Sequence, residues 1–113
     1  MIAVSRPGGE RLGDRIEVAG SFLSRLKGLL GRAGLSKGEG LLLDPCASVH
    51  TCFMRFPIDL CFLDGEWRVL KAVQGLTPWR WASALGAARV LELPAGTLAR
   101  AGVREGEVLV VSG

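Results

Sequence analysis

The residues best suited to chemistry lie in one stretch of the chain, Val49 to Asp64. This stretch, VHTCFMRFPIDLCFLD, contains the only histidine of the sequence, His50, and two of the three cysteines, Cys52 and Cys61. Imidazole, thiol and carboxylate groups are the usual acids, bases and nucleophiles of enzymes. Any activity that needs an imidazole must therefore use His50.

A metal site is the first chemistry to consider. If residues 49–54 form a strand, alternation places His50, Cys52 and Met54 on one face. A histidine, a thiol and a thioether suit copper(I) in principle. Zinc is less favoured because it prefers four ligands, while Cys46 and Cys61 lie in other segments and there is no second histidine. We therefore predict packing roles for Cys52 and Met54, no metal and no cofactor.

Catalysis is the second possibility. His50 and Cys52 could pair as base and nucleophile, and His50 and Asp59 could act as an acid and base pair, although no GxSxG elbow is present. A carboxylate inside an apolar strand must be hydrogen-bonded, paired or protonated. We favour a structural role for Asp59, in which it accepts backbone N–H groups or binds an arginine. A hydrolase that uses His50 with Asp59 or Cys52 remains the alternative.

Two tryptophans, Trp79 and Trp81, flank Arg80 in the longest irregular stretch, residues 75–88. Large aromatic side chains on loops often contact ligands or partners, although they could also cap an open barrel end or stack against bases. We predict a binding site between residues 50–59 and this loop. Its proposed residues are His50, Arg55 and Asp59 for polarity and Met54, Trp79 and Trp81 for the apolar wall.

Short apolar runs separated by turns dominate the rest of the chain, which has 16 glycines and five prolines. This pattern favours a compact, mostly-β barrel or sandwich of about seven or eight short strands. Asp64-Gly65 predicts a hairpin between 58–64 and 67–73. The last run, 107–111, is nearly all apolar and is expected inside a sheet. The other strands are expected at 2–5, 14–19, 41–43, 49–54 and 89–93.

Two helices are expected. Ser21 can cap a helix over about residues 21–31, since apolar residues at 22, 23, 26, 29 and 30 have helical spacing. A short helix is expected over about 96–101, with Gly102 as its cap. Basic residues on and after the first helix keep an RNA- or protein-interaction module open as an alternative; they are Arg25, Lys27, Arg32 and Lys37.

Length and charge set broad limits. A chain of 113 residues is expected to form one domain, residues 1–113. The net charge of +3 is small and the arginines are scattered, so nucleic acid is disfavoured as a partner. Possible partners are a small molecule or another protein, and the oligomeric state is left open.

The cytoplasm is the expected location. The first ten residues have no charged n-region and no long apolar h-region, which argues against a signal peptide. No apolar run approaches the roughly 20 residues that span a bilayer. The odd number of cysteines without a CxxC pair is typical of thiols in a reducing compartment.

The chain resembles the DUF192 domain family, also called UPF0127. The Val49–Asp64 stretch is similar to the family signature I-H-T-x-x-M-R-F-P-I-D-v-x-F-L-D, and RLKGLLGR, GEGLLL, VLELPAG and GVREGEVL match in order. Glu107 departs from the aspartate that the family often has. The resemblance implies a compact, jelly-roll-like β domain with one prominent helix and no established function. The matched positions, to which no roles are attached, are His50, Thr51, Met54, Arg55, Pro57, Asp59 and Glu92.

Glu92 alternates with apolar neighbours in RVLELP, so its side chain is expected either to face water or to pair with an arginine inside the fold. Taken together, the residues favour a small domain that binds a ligand or partner, rather than an enzyme.

Overall fold

A computed structural model of the chain describes residues 1–19, 34–52 and 54–113. The predicted helix at about 21–31, with Arg25, Lys27 and Arg32, lies outside the described residues. The described part contains nine strands and one short helix. They are β1 (Ile2–Ser5), β2 (Arg11–Ala19), β3 (Glu39–Leu43), β4 (Ser48–His50), β5 (Ile58–Leu63), β6 (Val69–Leu76), β7 (Trp81–Ser83), β8 (Arg89–Pro94), α1 (Thr97–Ala101) and β9 (Val110–Ser112).

Seven strands form one curled sheet in the order β6-β5-β8-β3-β2-β1-β9. Only the β2–β3 pair is parallel among the described strands. The two ends of the sheet approach each other, because Val69 N donates to Glu107 O at 2.8 Å and Leu109 N donates to Trp67 O at 2.9 Å. These bonds flank an isolated bridge between Arg68 and Val108. The predicted mostly-β, barrel-like architecture is confirmed.

The central strands of the curled sheet, β3, β5 and β8, are buried on both faces, which explains why they are so apolar. All six residues of β5 are buried. Alternate residues point to two cores. One core contains Cys61 and Leu63 together with Leu98 of α1. The other contains Leu60 and Phe62, and it includes residues of the remaining two strands.

Those two strands, β4 and β7, form a small antiparallel sheet. Val49 of β4 lies opposite Ala82 of β7, and both belong to the second core. The small sheet therefore packs over one face of the large one. Strand β7 was not expected, because its three residues are too few for strand alternation to be visible beside the irregular sequence around them.

The predicted hairpin between β5 and β6 is confirmed. Asp64 holds its turn, since its Oδ1 accepts Glu66 N at 2.8 Å and Arg68 N at 2.9 Å. Both bonds lower the pKa of the Asp64 carboxyl, and the bond from Arg68 N has the larger effect. Trp67 completes the turn in the left-handed region with φ of 69°, and the Arg89 guanidinium lies 4.4 Å above its ring centroid.

Two strand predictions are wrong in detail. The expected strand 49–54 ends at His50 because a turn follows, in which Met54 N donates to Thr51 O at 3.1 Å. The last strand was expected inside a sheet, but β9 is the end strand of the large sheet and exposes Val110. Its apolar sequence reflects closure of the barrel at residues 107–109 rather than a central position. The predicted short helix is confirmed as α1, with Gly102 as its C-cap.

Candidate functional site

The small sheet brings His50 next to the tryptophan segment. His50 lies directly opposite Trp81 in the β4–β7 pair, so the two side chains share a face. That face points away from the core, because Val49 and Ala82 on the alternate face are buried. His50 is exposed, and Trp81 exposes 69% of its surface. An imidazole and an indole are therefore held side by side at the surface.

Thr51 holds this arrangement in place. It is completely buried, and its Oγ1 donates to Thr77 O at 2.7 Å and accepts Arg80 N at 2.9 Å. Its backbone N donates to Arg80 O at 2.9 Å, and its carbonyl accepts Trp79 N at 3.2 Å. The residue that follows His50 thus fixes both ends of the 77–80 segment. From sequence, Thr51 was identified only as a motif position, because a threonine between a histidine and a cysteine gives no signal of this role.

Trp79 exposes 58% of its surface and has φ of 64°, in the left-handed region. Bulky residues avoid this region, and the strain costs on the order of 1–3 kcal/mol. Such strain persists where the surrounding structure imposes it, which here is the hydrogen bond from Trp79 N to Thr51. Trp79, Arg80 and Trp81 are all exposed. We call His50, Trp79, Arg80 and Trp81 the aromatic surface.

Met54 and Arg55 lie in different environments. Met54 exposes only 8% of its surface and belongs to the second core, whereas Arg55 is exposed. The expectation that Met54, Cys52 and His50 share a strand face is wrong, because the turn after Thr51 ends the alternation. The structure thus makes Met54 a core residue beneath the small sheet.

Asp59 is completely buried and serves a structural role. Its Oδ1 accepts Gly75 N at 2.8 Å, and its Oδ2 accepts Gly96 N at 3.1 Å and Leu98 N at 2.9 Å. It therefore caps α1 from a distance and ties β6 to it. The carboxylate lies on the sheet face that contacts α1, opposite the face covered by β4. The structure does not bring Asp59 and His50 together.

The cysteines are free thiols. Burial, followed by the charge of Asp59, raises the pKa of the Cys61 thiol to about 12, so it is not a thiolate at neutral pH. The Cys46 thiol donates to Ser48 O at 3.1 Å. Cys52 is half-buried in the turn after Thr51. Among residues 1–19, 34–52 and 54–113, no three histidine, cysteine or acidic side chains cluster as metal ligands would.

Glu92 is buried on β8 between Leu41 and Leu60 of the neighbouring strands. Burial raises the pKa of its carboxyl to about 7. The predictions that Glu92 faces water or pairs with an arginine are wrong for the described part of the chain, since no such partner lies beside it there. It is a carboxyl held in an apolar core.

The fold and this surface define a small β-barrel domain with an exposed aromatic segment. Residues 3–111 match the model of the DUF192 family, which is described as "Uncharacterized ACR". The chain belongs to the DUF192 family. No curated protein matches the sequence significantly.

Two solved structures have the same fold. A protein of unknown function from Novosphingobium aromaticivorans is 25% identical with a TM-score of 0.82, covering 96% of this chain and 82% of its own. A protein from Sinorhizobium meliloti described as a candidate transcription regulator is 24% identical with a TM-score of 0.83, covering 97% of this chain and 91% of its own. The second likeness shows the fold alone. No function is established for the family or for the Novosphingobium protein.

Proposed function

We propose that this chain is a binding domain and that its aromatic surface is the contact site for a partner. The observation that carries the proposal is the exposure of Trp79 and Trp81, at 58% and 69%, on a segment that partly buried hydrogen bonds to Thr51 hold in place. Tryptophan and arginine are the residues that most often dominate binding energy at protein interfaces. A segment that is already ordered loses little conformational freedom on binding.

A partner protein fits the surface better than an enclosed small ligand. The indoles are exposed rather than gathered around a cavity, whereas small-molecule sites usually bury most of the ligand. The polar residues of the surface, His50 and Arg80, carry no negative charge at neutral pH. The surface therefore suits a partner that presents an apolar group with acidic residues around it.

Catalysis receives less support. The hydrolase alternative needs His50 within hydrogen-bond reach of Asp59 or Cys52. Asp59 already accepts three backbone N–H groups on the far side of the large sheet. Of the two candidate partners, only Cys52 is near His50 in sequence, and a turn separates it from the face of the small sheet on which His50 lies.

Native mass spectrometry of the chain purified from its native host tests the proposal. We expect a complex with a defined added mass, and loss of that mass in a Trp79→Ala, Trp81→Ala double variant. Leu85→Ala is the matched control, since Leu85 is fully exposed on the neighbouring turn. Equal retention of the partner by the double variant would show that it binds elsewhere.

We also propose that the protein is located in the cytoplasm. Three free thiols support a reducing compartment. No helix in the described residues has the length and hydropathy needed to cross a bilayer. Labelling of intact cells with a membrane-impermeant maleimide should leave Cys52 unmodified until the cells are lysed, and labelling before lysis would place the chain outside.

A further inference from the structure

A basic cavity lies away from the aromatic surface, where β2, the 37–38 turn and α1 meet. Its volume is about 400 Å³, within the range of small-molecule sites. Four cationic side chains and two carboxylates line it, so it has two excess positive charges in a chain whose formal charge is +3. The charged residues are Arg11, Arg15, Lys37, Arg100, Glu10 and Asp14.

Two glycines give the cavity a fixed floor. Gly38 has φ of +90°, and a Cβ on Gly13 would lie 2.9 Å from Gly38 O. Their lack of side chains lets the turn close onto β2, where Gly38 O accepts Asp14 N at 3.1 Å and Arg15 N at 2.9 Å. The backbone beneath the charged side chains is therefore set before any ligand arrives.

The cationic side chains are placed to accept an anion. Arg15 Nη2 donates to Lys37 O at 2.8 Å, which orients the guanidinium beside the lysine and leaves its other N–H groups for a ligand. The ion pairs of the cavity are loose, at 3.9 Å for Arg11 with Asp14 and 3.8 Å for Arg100 with Glu10. Exposed pairs of this kind contribute little, so an anion can displace them at small cost.

We propose that this cavity binds the phosphate group of a small soluble molecule. The excess of two positive charges matches the charge of a phosphate monoester near neutral pH. Guanidinium groups bind phosphate oxygens through paired N–H bonds, and an adjacent ammonium adds a point charge. The site uses different residues from the aromatic surface, so the two proposals stand or fall separately.

Amide NMR during titration with inorganic phosphate tests the site, with sodium chloride at matched ionic strength as the reference. We expect saturable shifts at Gly13, Asp14, Arg15 and Gly38, with a dissociation constant in the millimolar range. Shifts that equal those in chloride, or that never saturate, would overturn the proposal.

Variants distinguish phosphate binding in this cavity from nonspecific electrostatic attraction to the protein. Arg15→Gln should weaken phosphate binding about tenfold, because it removes charge-assisted hydrogen bonds. Asp14→Asn should bind severalfold more tightly, since it removes a negative charge, and a misfolded protein could not show that gain. Arg104→Gln, at an exposed arginine outside the cavity, should bind as the wild type does. Equal weakening by Arg104→Gln and Arg15→Gln would contradict the assignment.

A vesicle co-sedimentation assay distinguishes a soluble phosphate compound from a lipid headgroup as the ligand. With vesicles of phosphatidylcholine and phosphatidic acid, we expect no co-sedimentation under conditions where inorganic phosphate saturates the cavity. Co-sedimentation that Arg15→Gln abolishes would instead assign the cavity to a lipid and overturn the proposal of a soluble ligand.

Discussion

At the scale of single residues, buried polar groups determine how the surface is presented. Thr51 links the strand that bears His50 to the segment that bears Trp79 and Trp81, and Asp59 links β5 to α1 and β6. Each satisfies backbone groups that are wholly or partly buried, and a fully buried group left without a partner costs about 1–3 kcal/mol. The conspicuous carboxylate of the sequence is therefore a structural anchor.

Thr51→Val tests the role of the hydroxyl with little change in shape. We expect a loss of about 2 kcal/mol in the free energy of unfolding, because Arg80 N and Thr77 O both lose a partner. Thr51→Ser keeps the hydroxyl and should lose less, about 1 kcal/mol for one methyl group. Urea denaturation measures both variants. If Thr51→Val is as stable as Thr51→Ser, the hydroxyl does not hold the segment.

Glu92 makes stability depend on pH. Burial raises its pKa from the ordinary value of 4.5 to about 7, so the folded state retains a proton that the unfolded state releases within this range. The free energy of unfolding should therefore fall as the pH rises from about 4.5 to about 7, and the contribution should level off above that. Glu92→Gln removes this contribution.

Urea unfolding at about pH 5 and about pH 8 measures the effect. Between these two pH values, the free energy of unfolding of Glu92→Gln should rise relative to that of the wild type by up to about 3 kcal/mol. Glu66→Gln, at an exposed glutamate, is the control and should track the wild type. A constant difference between Glu92→Gln and the wild type would mean that the Glu92 carboxyl does not titrate in this range.

At the scale of elements, the segment from Trp79 to Ser83 changes from strained loop to strand within a few residues. Trp79 has the left-handed φ of 64°, while Trp81 is the first residue of β7. Glycine adopts a positive φ without strain but weakens a strand. The same substitution should therefore have opposite consequences at these two positions.

Trp79→Gly should be close to neutral, because relief of backbone strain offsets the greater freedom of the unfolded chain. Trp81→Gly should lose about 1 kcal/mol, since it removes a strand residue and its cross-strand contact with His50. Thermal unfolding of the two variants gives the comparison. An equal loss at both positions would show that the φ of Trp79 carries no strain.

Local sequence signals predicted some elements well. Asp64-Gly65 defined the β5–β6 hairpin because its turn geometry depends on adjacent residues, and apolar alternation located most strands. The alternation failed after Thr51, where a turn stabilised by contacts with residues 77–80 ends β4. Those partners are more than 20 residues away in the sequence, at a spacing that no local pattern reports.

The candidate site was predictable only in part, for the same reason. Trp79 and Trp81 stood out as large aromatic residues in an irregular stretch, and the small sheet does place Trp81 beside His50. The position of Asp59 relative to His50 depends on which face of the sheet each occupies. That is set by the β4–β7 pairing, and β7 is too short to be recognised from sequence.

At the scale of the whole molecule, the curled sheet depends on closure between residues that are far apart in the sequence. Residues 106–109 hydrogen-bond to residues 67–69, and Arg6 Nε donates to Glu107 Oε2 at 3.1 Å. The hydrogen bond to Glu107 raises the pKa of Arg6, and the same pair lowers the pKa of Glu107. The last turn of the chain therefore completes the barrel.

A chain that ends at Glu105 tests this closure. It lacks the bonds to residues 67–69 and exposes the core around Val4 and Val69, so we expect loss of cooperative thermal unfolding. A chain that ends at Leu109 keeps the bridge without β9 and should unfold cooperatively at a lower temperature. If the chain that ends at Glu105 unfolds at the same temperature as the wild type, the closure contributes nothing to stability.

The aromatic surface itself is tested most directly by site-specific photo-crosslinking in the native host. A photoreactive phenylalanine analogue at position 81 should give one dominant adduct, and Trp79→Ala in the same chain should suppress it. The analogue at position 85 should not give that adduct, although Leu85 is more exposed. The same adducts at both positions, or an adduct at position 81 that Trp79→Ala leaves unchanged, would contradict a partner-binding role for this surface.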